Sequence, residues 1–175
     1  NEDVGPVIER GGACKGPVYI RLGRGELPAG FAYPEYSAWR QIVHGDGPTL
    51  ICVGPLAGTY IAELQALDKN IRPNCWVLSE LPQHISSIPE EIMTQLIRYP
   101  ALIVAEEHVA HGSFASSFLM ALAEAGIPLM RFEHLCARAH HYDRYGSQAY
   151  LRQQSGIASS HLLDAIKRIT AQIET

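Results

Sequence analysis

Ala101-Leu102-Ile103-Val104-Ala105 is an unbroken apolar run that ends on Glu106-Glu107-His108, and past Gly112-Ser113 a helical pattern extends from Phe114 to Ala125. Apolar residues without alternation, then charge, a glycine and a helix, are the mark of a strand buried on both faces that hands the chain to a crossover helix. The same unit recurs upstream. Thr49-Leu50-Ile51-Cys52-Val53 leads into a helical stretch from about Leu56 to Leu67, then a strand at Cys75-Trp76-Val77-Leu78 and a helix from Glu90 to Ile97. Downstream, Pro128-Leu129-Met130-Arg131-Phe132 reads as the last strand. Such alternation predicts a three-layer α/β domain with a mainly parallel five-stranded sheet and helices on both faces. Arg40-Gln41-Ile42-Val43 supplies the remaining strand. Gly45-Asp46-Gly47-Pro48 behind it is a hairpin signal, which makes it the one antiparallel edge strand. Two further helices, 147–155 and 159–173, are expected to wrap back over the sheet, the second with Leu162, Leu163, Ile166, Ile169 and Ile173 on one face.

The amino-terminal stretch reads differently. Val4 to Cys14 has the pattern of a short helix, Val18-Tyr19-Ile20-Arg21-Leu22 is β-rich and closes on Gly23-Arg24-Gly25, and a segment bearing Pro28, Gly30 and Pro34 follows without periodicity. Residues 1–30 are therefore read as the end of a neighbouring lobe plus a linker, and residues 35–175 as the main domain. With 175 residues, 47% of them hydrophobic, the chain can bury one sizeable core. A net charge of −4, with Lys and Arg scattered, gives no footprint for nucleic acid and no basic face for a membrane. No apolar run approaches the ~18 residues of a membrane-spanning helix. The polar start lacks the regions of a signal peptide, and its abruptness points to a piece of a longer protein. Cys14, Cys52, Cys75 and Cys136 are far apart and form no CxxC pair, which fits free thiols in a reducing cytoplasm.

Few residues have the pattern of chemistry. His108, His111, His134, His140 and His141, with Glu106 and Glu107 beside them, are metal-ligand types, yet Glu-Glu-His-x-x-His is neither the zincin order nor its inverse. They read as loop histidines, and no metal site is assigned. Glu107, His108 and Gly112 lie where an open α/β sheet presents a ligand to the start of a helix. The same glutamates can instead cap that helix or pair with a basic group at a subunit interface. Arg24 stands just past a strand between two glycines, where a guanidinium can capture a phosphate with two hydrogen bonds. No nucleophile–base set stands out, so no catalytic residue is assigned.

Gly16 to Arg24 resembles the closing strand of the pyrimidine-binding domain in the transketolase family. Pro48 to Gly54 resembles the first core strand of that family's carboxy-terminal domain, and Leu102-Ile103-Val104-Ala105-Glu106-Glu107-His108 its "vvtvEeh" strand. Asp143 to Ser147 and Gly156-Ile157 resemble the steps before and between its last helices. The resemblance implies a carboxy-terminal part of a transketolase, with Arg24 similar to the arginine that holds the substrate's sugar phosphate. It implies thiamine diphosphate and a divalent metal such as Mg bound elsewhere in the complete enzyme. It also implies partners, namely the diphosphate-binding and pyrimidine-binding domains or a separate amino-terminal subunit, in a homodimer. The pathway would be the cytoplasmic pentose phosphate branch of carbohydrate metabolism, and the isolated chain would be inactive. Gly45-Asp46-Gly47 is similar to the family's metal-binding GDG, but no paired asparagines follow and the segment reads as a turn. The family's GGxG after Glu-Glu-His is replaced by His111-Gly112-Ser113-Phe114. The alternative implied is a non-catalytic assembly domain of a related thiamine enzyme, a two-oxoacid dehydrogenase β subunit or deoxyxylulose-phosphate synthase.

Overall fold

The computed structural model describes residues 3–23, 27–138 and 145–171. Strands β1 (Trp39–Val43), β2 (Thr49–Val53), β3 (Asn74–Leu78), β4 (Ala101–Val109) and β5 (Arg131–Ala137) form a single sheet in the order β1-β3-β2-β4-β5. β3, β2, β4 and β5 run parallel, and β1 pairs antiparallel with β3 at the edge. That is the sheet expected from the sequence.

Period-2 pleating sorts the strand residues onto two faces. Leu50, Cys52, Cys75, Val77, Ile103 and Ala105 point to one side, where a 3₁₀ turn (Gly54–Thr59), α2 (Ile61–Ala66) and α6 (Ser159–Ala171) cover them. Ile51, Trp76, Leu102 and Val104 point to the other, under α3 (Glu90–Arg98) and α4 (Phe114–Glu124). Each fully buried aliphatic side chain of this kind contributes about 1.5–3 kcal/mol. The connections after β2 and β4, which are neighbours in the sheet, leave on opposite faces. The carboxyl ends of these two strands thus form the topological switch point, where open α/β sheets have their crevice.

Four expectations need correction. The segment Gly45–Pro48 is not a hairpin, because β1 pairs with β3 and not with β2. A primed two-residue turn needs positive φ, and neither Gly45 nor Gly47 adopts it. The helix read as 56–67 is broken into the 3₁₀ turn and α2. The last strand starts at Arg131 and continues to Ala137, since Pro128 lies in the irregular stretch between the turn after α4 and the strand. Finally, residues 18–22 form no strand among the described residues, because a strand requires a hydrogen-bonded neighbour and none of β1–β5 takes them.

These residues belong to an arm that begins with α1 (Val4–Ala13). A Cβ at Gly11 would stand 3.4 Å from Val18 Cγ1 and 3.5 Å from Ile20 Cδ1, so both side chains lie against the helix. The arm is tied to the body by charge. Arg40 on β1 is buried between the rings of Tyr33 and Tyr36 and donates to both Asp3 carboxylate oxygens, at 2.8 and 2.6 Å, and to Ser79 Oγ at 3.0 Å. Arg10 on α1 pairs with Glu80 behind β3, with Nε 2.6 Å from Oε1. The Asp3 side chain makes no capping bond to α1, so its role is the ion pair. Asp3→Ala leaves a guanidinium buried without its counter-charge. Breaking a fully buried pair costs about 3–5 kcal/mol, and because the Asp3 side chain is 38% exposed the expected loss is about 2 kcal/mol, measured by urea unfolding.

Candidate functional site

β4 delivers two adjacent glutamates to the switch point, and its pleat sends them to opposite faces. Glu106 shares the side of Leu102 and Val104 and turns towards α4. Its residue is 3% exposed, and its carboxylate accepts from the backbone N–H of Phe114 and of Ala115, both at 3.1 Å. His134 Nε2 on the neighbouring strand β5 lies 2.8 Å from the same carboxylate. Burial pushes the Glu106 carboxyl up. The hydrogen bond from His134, those from Ala115 and Phe114, and the charge of the imidazole outweigh that and hold it below the ordinary carboxylate range. Ser113 completes the cap with an Oγ that accepts from Ser116 N at 3.2 Å. The start of α4 therefore carries its own anion, and an incoming one would have to displace Glu106 from two backbone donors.

Glu107 turns to the other face. Arg152, on α5 (Gln148–Ser155), donates through Nε to Glu107 Oε1 at 2.9 Å and through Nη1 to Thr59 Oγ1 at 2.7 Å. From above, Arg21 of the arm donates through Nη1 to the Glu107 carbonyl at 3.2 Å and places Nη2 3.6 Å from Glu107 Oε2. A Cβ at Gly23 would stand 2.5 Å from Pro55 Cγ, just behind the end of β2. The arm thus crosses the carboxyl ends of both switch-point strands.

Of the residues singled out from sequence, Glu106 and His134 meet at the start of α4 and Glu107 is drawn into the arginine network. His108 is exposed, with Nδ1 2.9 Å from the Val109 carbonyl. Gly112 takes φ +69° in the turn before the Ser113 cap, a conformation that favours glycine. Arg24, His140 and His141 lie outside the described residues. Among the described residues no three His, Cys, Asp or Glu side chains converge as metal ligands do. Asp46 of the GDG segment is held by Lys69 Nζ at 3.1 Å and Arg98 Nη2 at 3.4 Å, and the hydrogen bond from Lys69 leads in holding its carboxyl below the usual range. A carboxylate facing two cations does not fit a divalent metal, and the described residues offer thiamine diphosphate no diphosphate-binding metal site. Cys52 and Cys75 are fully buried with Sγ atoms 3.9 Å apart, and burial pushes the Cys52 thiol well up, away from reactive thiolate. Among the described residues no helix is long and apolar enough to cross a membrane.

The arrangement of sheet, covering helices and arm can be set against known proteins. A solved structure, "Split gene transketolase, inactive beta4 tetramer", superposes with a TM-score of 0.72 over 93% of this chain at 18% sequence identity. The chain has a transketolase fold. It spans about half of that neighbour, 53% of its length. No family model matches the sequence, and neither does any curated protein.

Proposed function

We propose that this chain is the carboxy-terminal part of a thiamine-diphosphate-dependent transketolase, which moves a two-carbon ketol unit between sugar phosphates. The observation that carries the reading is the arm, seen in the context of the fold. α1 packs against Val18 and Ile20 of a β-rich segment that joins no sheet among the described residues, and Tyr19 and Leu22 stand 88% and 69% exposed. Such a helix-and-strand pair is the expected end of a second α/β lobe, here the pyrimidine-binding domain of residues 1–30, whose other strands come from elsewhere in the assembly. Residues 35–175 then form the carboxy-terminal domain. Arg24, directly after the clamped Gly23, is the residue for the substrate's phosphate. His108 and Gly112, at the end of β4 and in the turn after it, mark the stretch that serves assembly, since Glu106 already fills the anion position on α4 and Glu107 is engaged by Arg152 and Arg21.

Thiamine diphosphate and its Mg belong to the diphosphate-binding and pyrimidine-binding domains or to a separate amino-terminal subunit, and the working enzyme is a cytoplasmic homodimer or a dimer of such pairs. The inactivity of the neighbouring β-chain tetramer supports the reading that this chain alone does not turn over. Purified chain with thiamine diphosphate, Mg²⁺, a ketose phosphate and an aldose phosphate is expected to show no turnover, and the chain carrying the cofactor-binding domains is expected to restore it. In the restored enzyme Arg24→Ala should raise the KM of the sugar phosphate by roughly 10–100-fold, the loss of about 1.5–3 kcal/mol of charged hydrogen bonding. Turnover by the chain alone, or an unchanged KM in Arg24→Ala, would refute the proposal.

A further inference from the structure

We infer that Glu107 is a positioning residue: held from below by Arg152, it clamps Arg21 and so fixes the end of the arm from which Arg24 extends. The starting point is that an exposed ion pair is a poor fastener. Arg21 has 60% of its side chain exposed, and such pairs stabilise little because two long side chains must be ordered for one contact. Here one of the two is already ordered. The Arg152 side chain is 6% exposed, and it locks Glu107 Oε1 while its Nη1 is held by Thr59. Oε2 and the backbone carbonyl of Glu107 are left facing the arm; Arg21 donates to the carbonyl through Nη1 and sets Nη2 3.6 Å from Oε2 as an ion pair. The entropy cost therefore falls on Arg21 alone.

The second hold is steric. Two residues beyond Arg21, Gly23 sits so close to Pro55 that a Cβ there would overlap the ring. Arg21 and Gly23 thus bear on the carboxyl ends of β4 and β2 in turn, the two sides of the switch point. Arg24 is the next residue, at most about 11 Å of extended chain from Arg21. Once Arg21 is released, the chain leading to Arg24 loses its nearest polar anchor among the described residues, while Arg10–Glu80 and Arg40–Asp3 still hold α1 further back. In many α/β proteins the crevice at the switch point receives a ligand. Here the protein's own arm occupies it, and Glu107 is the group that receives it.

The consequence for substrate binding rests on the proposed role of Arg24, whereas the clamp itself is testable on the 175-residue chain without substrate or partner. The measurement is ¹⁵N relaxation of the intact chain, compared among the native sequence, Glu107→Gln, Arg21→Gln and the double variant. Amides of Ile20 to Gly23 are expected to have order parameters near those of rigid backbone, about 0.85, to fall below about 0.6 in Arg21→Gln, and to fall part of the way in Glu107→Gln, which keeps the backbone carbonyl. The double variant should be no looser than Arg21→Gln alone, because that variant already removes the ion pair that Glu107→Gln takes away. Arg21 is exposed, so Arg21→Gln should leave the amides of β2 and β4 and the melting temperature unchanged; a merely structural role of Glu107 would not be reproduced by that variant. Order parameters of Ile20 to Gly23 that stay high in Arg21→Gln overturn the clamp. A wild-type KM in Arg24→Ala within the assembled enzyme is the separate result that removes the substrate role.

Discussion

Glu106→Ala is expected to cost about 3–5 kcal/mol and to lower the melting temperature by roughly 10 °C, the largest effect of any single polar substitution in the body. Three donors converge on this carboxylate, two backbone N–H groups at the start of α4 and the imidazole of His134. Removing the side chain leaves all three facing a dry pocket, and buried donors without acceptors are far costlier than the net value of the bonds they made. Glu106→Gln keeps the volume but presents one carbonyl oxygen where two carboxylate oxygens accepted, so an intermediate loss is expected. The pH dependence follows from the same geometry. The folded carboxyl titrates below its unfolded value of about 4.3, so its contribution is fully present above that value and is lost as pH falls through the lower folded value. Acid unfolding curves of the native chain and of Glu106→Gln should therefore converge at low pH and separate towards neutrality. If the two curves run parallel across the acid limb, the carboxylate is not what holds the start of α4.

How much of this was legible in the residues follows from the range of the interactions. Ala101 to Ala105 could be read as a doubly buried strand because burial on both faces leaves a local, continuous signature, and the alternation of such runs with helices led to the parallel sheet. The partner of β1 could not be read the same way. An Asp-Gly step next to two β-rich runs gives the same local signal whether the runs pair with each other or, as here, with a third strand inserted between them. The amino-terminal run failed for the opposite reason. Val18 to Leu22 has strand propensity, but propensity becomes a strand only beside a neighbour, and none of the described strands provides one. At the site, Glu107 was legible because charge at the end of a buried strand is conspicuous. His134 was picked out as a metal-ligand type, but its pairing with Glu106 was hidden by placing the last strand three residues early, which put it in a loop; with β5 at its observed limits, the alternation Phe132, His134 would have set it on the same face as Glu106. Arg152, Arg21 and Arg40 carry no such signal. An arginine becomes a buried hub only through chain segments that are far away in sequence, as the pairing of Arg152 with Glu107 and of Arg40 with Asp3 shows.

Gly45→Ala is expected to destabilise the chain by about 3 kcal/mol, while Asp46→Ala next to it should leave the unfolding midpoint almost unchanged. The contrast bears on what Gly45-Asp46-Gly47 is for. If the motif were a metal ligand set, the aspartate would be its centre and the glycines its frame. The structure inverts that order. A Cβ at Gly45 would collide with the backbone carbonyl of Arg72, and one at Gly47 would come 2.6 Å from the carbonyl oxygen of Ile71. Both clashes are with backbone, which cannot rotate away. The loop at 69–72 is itself fixed to this segment, with Asp46 N donating to the Lys69 carbonyl at 2.8 Å and Gly47 N to the Arg72 carbonyl at 3.0 Å. An added methyl group must therefore separate two segments that deliver the chain into β2 and β3, the central parallel pair. Asp46 faces solvent between Lys69 and Arg98, both largely exposed, so removing it forfeits two screened pairs and no buried contact. Chemical denaturation of the two variants, with and without added Mg²⁺, tests both halves. A large loss in Asp46→Ala, or a midpoint of the native chain that rises with Mg²⁺ and fails to rise in Asp46→Ala, would restore the metal reading and remove the steric one.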